Sequence, residues 1–323
     1  ARTADVVLAY LGLDERAETE GLDRESLALR DNQIKLLETV SAVNPNVVVV
    51  LTCGAPVETP WIAHCKALLL GGLGGQAGAG GAADVLTGRV NPSGKLAESW
   101  PMRLEDTPCA PWYPGRERTA EYREGPFVGY RYYQTARVPV RFPFGYGLSY
   151  TSFAIRFAGL RTLPGAVEVD LSVQNTGICF SGREVAQVYL SCPQKGGARE
   201  FRRLAGFAKT RLLAPGEGET LTISIPQKQL ASFDPRRAGW VVDEGLYGVW
   251  AGSSSADLEL CARLRVAADT LIEQTHPICP AAQPIQEPGA SPAALAARQA
   301  AAAPVWDFTP QAEPAPAAPA CPP

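Results

Sequence analysis

Apolar residues follow a regular order through the first hundred positions. Asp5-Val6-Val7-Leu8-Ala9-Tyr10-Leu11-Gly12 is an apolar run of strand length and predicts a buried strand. Asp31-Asn32-Gln33 is a helix start, and Ile34, Leu37, Val40 and Val43 then recur at helical spacing until Asn44-Pro45-Asn46 stops the helix. Val47 to Leu51 is a β-branched run suited to a strand covered on both faces. A turn at Cys53-Gly54-Ala55-Pro56, a short helix from Trp61 to Lys66 and a strand at Ala67-Leu68-Leu69-Leu70 follow. Beyond the glycine-rich Gly71 to Gly81, Ala82 to Leu86 reads as helix, Asn91 to Gly94 as a turn, and Lys95 to Trp100 as a short strand. Alternating strands and helices predict right-handed crossovers and a mostly parallel sheet.

The pattern changes twice after that. From Met102 to Tyr150, proline, arginine and aromatic residues dominate, too irregularly for a helix, and predict a segment that wraps the sheet domain. Its aromatics suit either packing or a sugar platform. From Ser152 to Val266 the period is two: Val167 to Val173, Val185 to Leu190 and Leu221 to Ile225 alternate between turn signals such as Ala214-Pro215-Gly216-Glu217. About seven short strands suggest an immunoglobulin-like sandwich. Beyond Ala267 the chain becomes rich in proline and alanine and predicts a disordered tail. The expected fold is therefore α/β, with a mostly parallel sheet domain at 1–150, an all-β sandwich at 151–267 and the tail at 268–323.

Composition narrows the function. Of 323 residues 46% are hydrophobic and 20% charged, with a formal net charge of −3, as for a globular protein with a real core. No basic stripe appears, so nucleic acid is not an expected partner. No apolar run reaches the roughly 18–20 residues that span a bilayer, so a membrane is not expected either. The chain begins at Ala1 directly before a strand and reads as a piece of something longer; no signal-peptide pattern precedes it. Eight scattered cysteines contain no C-x-x-C pair, which argues against structural zinc and for reduced thiols in a cytoplasmic setting. The two histidines, His64 and His276, have no nucleophile motif nearby. Gly78-Ala79-Gly80-Gly81-Ala82-Ala83 satisfies the dinucleotide pattern G-x-G-x-x-A, but the glycine run is long and does not follow the first strand, so no cofactor is expected.

The chemistry points to the acidic stretch Ala17-Glu18-Thr19-Glu20-Gly21-Leu22-Asp23-Arg24-Glu25, which leaves the carboxyl end of the first strand, the edge where α/β sheets bind ligands. A carboxylate there can donate a proton if its surroundings hold the proton on. The charges would equally serve to solvate a surface loop.

Several blocks resemble glycoside hydrolase family 3. Glu18 to Arg24 with Leu27, Leu29 and Asn32-Gln33 is similar to its E-G-x-D-R…L-x-L-P-x-x-Q segment. Gly75 to Gly78, Ala83 to Leu86 and Asn91 to Leu96, then Tyr122 to Tyr133, then Phe142 to Tyr150, continue the match in order. Glu184 to Tyr189, Leu204 to Lys209, Gly239-Trp240 and Gly245 with Tyr247 resemble the family's fibronectin type III-like domain. Where the family has Q-E-G, this chain has Gln76-Ala77-Gly78.

The resemblance implies the C-terminal part of a retaining β-glycosidase acting on a β-linked glucoside or oligosaccharide. The nucleophilic aspartate of such enzymes lies in a barrel domain that nothing here matches; the barrel is the implied partner, upstream or downstream. The E of E-G-x-D-R, the acid/base in many members, falls on Glu20, with Glu18 in reserve. Because Arg24 aimed at Glu20 would oppose protonation, Arg24 is expected to pair with Asp23 or Glu25. Alone, the chain is expected to be inactive. The alternative is a non-catalytic carbohydrate-binding or structural module derived from the enzyme.

Overall fold

The computed structural model describes residues 1–323 except 116–117, 119, 196–198, 277, 279–282 and 313–323. The first unit is built on three parallel strands in the order β1 (Val7–Gly12), β2 (Val47–Thr52), β3 (Ala67–Leu70). Helix α1 (Asp31–Ser41) joins β1 to β2 and buries Leu37 against Val47, Val49 and Leu51. Helix α2 (Gly78–Leu86) follows β3. The strands β1 and β2 approach so closely that a Cβ on Gly12 would lie 2.3 Å from the Thr52 carbonyl oxygen, which is why the strand ends in glycine.

The apolar run of β1 is covered on one face only. Leu11 is buried, but Leu8 and Tyr10 are exposed, so the expectation of a fully buried first strand is corrected. β2 has the burial its sequence implies. The segment from Lys95 pairs only at β4 (Trp100–Pro101), against β5 (Val140–Phe142), rather than along its length. Gly78 to Gly81 lie inside α2, not in a loop before it, which removes the phosphate-cradle geometry of the dinucleotide pattern. The aromatic segment is also more regular than its composition suggests: α3 (Tyr130–Ala136) buries Tyr133, and Tyr130 stacks on Phe144 with ring centroids 4.7 Å apart.

The second unit is the expected β-sandwich. One sheet has the order β10 (Gly218–Pro226), β7 (Ala166–Asn175), β6 (Phe153–Leu163). The other runs β16 (Val305–Asp307), β14 (Leu258–Val266), β13 (Gly245–Gly252), β8 (Val185–Ser191), β9 (Arg203–Lys209). Val167, Val169, Leu171 and Val173 of β7, the alternating set of the sequence, share one core with Val188, Leu190, Val249 and Leu264. A small sheet of β11 (Ser232–Asp234), β12 (Gly239–Val242) and β15 (Thr270–Gln274) closes one end.

The tail is not disordered from 268. Beyond β15, Ser291 caps α4 (Pro292–Arg298) by accepting a hydrogen bond from the Ala294 amide, and β16 pairs in parallel with β14. Leu295 and Phe308 are buried. Composition misleads here because a strap needs no core of its own when a few apolar residues can be buried on a sandwich already formed. Residues 313–323, also expected to be disordered, lie outside the described residues.

Candidate active site

The acidic loop between β1 and α1 is anchored at its base by Gln33. That side chain accepts from the Gly12 amide at 3.0 Å and donates to the Gly12 carbonyl at 2.8 Å, pairing with both backbone groups at the strand end. Asp14 turns the loop by accepting from the Arg16 and Ala17 amides and pairs with Arg30 across it. The Arg30 hydrogen bond holds the Asp14 carboxyl well below the usual range, at about 2.

Higher in the loop, three bonds reach the segment after β2. The Gly54 amide donates to Glu18 Oε1 at 2.7 Å, Arg24 Nη1 donates to the Pro56 carbonyl at 3.0 Å, and the Glu58 amide donates to the Leu27 carbonyl at 2.8 Å. Arg24 thus does not pair with Asp23 or Glu25 as expected; its charged neighbours are Glu18 and Glu58. Neighbouring positions of an extended loop point to different sides, and the half-buried guanidinium took the side with long-range acceptors. Asp23 instead lies beside Tyr113 of the aromatic segment, and its carboxylate raises the phenol's pKa.

An open cleft of about 1510 Å³ lies between this loop and the aromatic segment. Asp14, Arg24, Glu98, Tyr113, Tyr130 and Phe144 are among its walls. Ala17 and Leu22 also line it, whereas residues 18–21 between them do not. Glu20 lies in this intervening stretch, exposed, with no hydrogen bond or ion pair among the described residues. Glu18, two residues away, is half-buried and committed to Gly54.

Two titratable groups near the loop escaped the sequence reading. Glu98 has its carboxyl raised by desolvation, and beneath the loop the buried Cys53 thiol is pushed up to about 11, first by burial and then by Glu18. Neither carries a local signal, since both become site residues only when 53–58 and 96–101 are folded against the loop. Among the described residues there is no group of histidine, cysteine or acidic side chains arranged to hold a metal ion, and no helix long and apolar enough to cross a membrane.

Comparisons agree with this architecture. Residues 1–150 match the glycosyl hydrolase family 3 C-terminal domain, and residues 184–255 match the fibronectin type III-like domain. The chain is 37% identical over 299 residues to thermostable beta-glucosidase B of Acetivibrio thermocellus, covering 91% of this chain and 39% of that protein. It is 43% identical over 260 residues to an exo-alpha-(1->6)-L-arabinopyranosidase of Bifidobacterium breve, covering 80% of this chain and 34% of that protein. It superposes on the crystal structure of a beta-glucosidase from Kluyveromyces marxianus in complex with glucose with a TM-score of 0.80 at 36% identity, over 85% of this chain and 33% of that one. The chain therefore spans little more than a third of the length of these relatives.

Proposed function

Residues 1–150 of this chain are a glycosyl hydrolase family 3 C-terminal domain, followed by a fibronectin type III-like domain, and from that premise we propose that the chain is the C-terminal part of a retaining β-glycosidase of the β-glucosidase type. In this reading Glu20 is the general acid/base. The nucleophilic aspartate belongs to a barrel domain outside this chain, in the same polypeptide or a neighbouring one, and the sugar binds between the two. A retaining mechanism needs two carboxyl groups about 5–5.5 Å apart, one attacking and one protonating the departing oxygen and later activating water. Placing them on different domains builds the site only when the domains close, and closure also supplies the desolvation that a proton donor requires.

The observation that carries the choice of residue is the contrast within the loop. Glu18 already accepts the Gly54 amide, whereas Glu20 is exposed with no partner among the described residues. A group that exchanges protons with substrate must be available for it. The substrate class follows the names of the relatives: β-glucosides first, with α-L-arabinopyranosides as the second class to assay. The six cysteines among the described residues are all unpaired, in keeping with a cytoplasmic home.

The test uses the complete enzyme, or this chain combined with its barrel. Glu20→Gln should abolish hydrolysis of cellobiose, whose leaving group needs protonation, by about 10²–10⁴-fold, and spare an aryl β-glucoside with a good leaving group much more. If Glu18→Gln alone shows that split, the acid/base is Glu18. If neither variant does and the complete protein binds sugar without hydrolysing it, the domain is a non-catalytic module.

A further inference from the structure

We propose that Arg24 is a positioning residue: it latches the acidic loop onto segment 54–58 and so fixes where the loop presents Glu20. This deepens the reading of Glu20 as acid/base and rests on it. The three bonds from Glu18, Arg24 and Leu27 reach Gly54, Pro56 and Glu58 in order, two residues apart on the receiving segment. Arg24 is the central one and the only cation in that row. Its Nε and Nη2 atoms are buried without a hydrogen-bond partner among the described residues, so hydrogen bonding alone does not explain its burial. Burial pulls its pKa below the ordinary arginine value, and the nearby carboxylates of Glu18 and Glu58 offset only part of that cost. Without Arg24 these two carboxylates would share a partly desolvated pocket with no counter-charge, and the Pro56 carbonyl would lose its donor.

Thr19 to Asp23 therefore form a short exposed arch between two fixed feet, Glu18 on Gly54 and Arg24 on Pro56. Fixing both feet of this five-residue arch cuts its freedom, and that narrows the positions open to a solvated glutamate toward the tolerance that proton transfer needs. Arg24 acts through this arch and touches no reacting atom.

Cys53 supplies a readout that does not depend on catalysis. It is 4% exposed and adjoins Gly54, the residue that receives Glu18. Cys179, by contrast, is an exposed thiol remote from the loop in sequence and serves as the internal standard. The experiment treats the complete protein and its Arg24→Ala and Arg24→Lys variants with iodoacetamide and follows each cysteine by peptide mass spectrometry. Arg24→Ala should make Cys53 react several-fold faster with the Cys179 rate unchanged, and Arg24→Lys should restore much of the protection. An unchanged Cys53 rate in Arg24→Ala overturns the latch.

The same variants are assayed on cellobiose and an aryl β-glucoside. Arg24→Ala should reproduce the leaving-group split of Glu20→Gln, in kcat rather than KM, with partial rescue by Arg24→Lys. Equal losses on both substrates, or a change confined to KM, overturn the positioning role even if Cys53 becomes reactive. If Glu20→Gln itself gives no split, the acid/base assignment fails, while the Cys53 rates still decide the latch.

Discussion

The ammonium of Lys95 lies 2.7 Å from the carboxylate of Glu184, one on the α/β unit and the other at the head of the β-sandwich, with side chains only 13% and 10% exposed. Around this pair, Asn91 donates to the Ser181 carbonyl and accepts from Ser149 Oγ and the Tyr150 amide. Lys209 also reaches back to the Ser93 carbonyl. The Asn91-to-Lys95 block, legible in the sequence as a family signature, is thus the seam between the two units.

Lys95→Met keeps the aliphatic stem and leaves Glu184 without its cation. A broken buried pair costs about 3–5 kcal/mol. Urea unfolding should show that loss, and the double variant Lys95→Met with Glu184→Gln should recover part of it. Additive losses in the double-mutant cycle would mean that the pair does not couple the units.

The C-terminal strap predicts its own signature. Phe308→Ala empties a site that is only 2% exposed, and such truncations cost about 3–5 kcal/mol. Arg298 lies 3.7 Å above the Phe201 ring and donates to the Gln134 and Thr135 carbonyls of α3, so the strap also joins the two units. Removing residues 291–323 should lower the thermal midpoint of both units together. A change limited to the sandwich would contradict that link.

Acid should loosen the base of the acidic loop. Asp14 is held at about 2 against an ordinary 3.8, with the Arg30 hydrogen bond the largest cause. A depressed carboxylate contributes stability that is present above its unfolded pKa and lost as pH falls through the folded one. The Asp14–Arg30 contribution should therefore be complete above about pH 4 and vanish towards pH 2. The Asp14 carboxyl carbon followed by NMR should titrate near 2, and Asp14→Asn should leave loop stability flat across that range.

The open face of β1 predicts surface behaviour. Leu8 is 46% and Tyr10 64% exposed on a strand of an all-parallel sheet, a kind of sheet that is normally covered on both faces. This chain by itself should bind a hydrophobic dye such as ANS, and Leu8→Glu with Tyr10→Glu should reduce that fluorescence without unfolding the protein. Unchanged fluorescence would locate the sticky surface elsewhere.

Much of the fold was legible because its signals are local. The alternation of Val167 to Val173 needed only a few residues to declare a half-buried strand, and Asp31 with Leu37 and Val40 declared α1 in the same way. The acidic loop was legible as a candidate site from its place after β1. Its internal roles were not. Arg24 could have paired with Asp23 or Glu25, one residue to either side, yet it chose a carbonyl 32 residues away. The strap after Ala267 was hidden because Leu295 and Phe308 are sparse in the sequence and acquire a core only from the sandwich beneath them.

The sequence by itself determined the order of the units, their α/β and all-β characters, the family resemblance and the loop that carries Glu18 and Glu20. Periodicity and motif spacing are written over short stretches, and burial on one face enforces them wherever the chain folds. Only the tertiary structure decided that Glu18 is an anchor, that Glu20 is exposed and unpartnered among the described residues and that Arg24 is committed to Pro56. Those assignments depend on which backbone groups chain closure brings within hydrogen-bond reach across 30 or more residues, as from Gly54 to Glu18, 36 apart, and no local pattern records that choice.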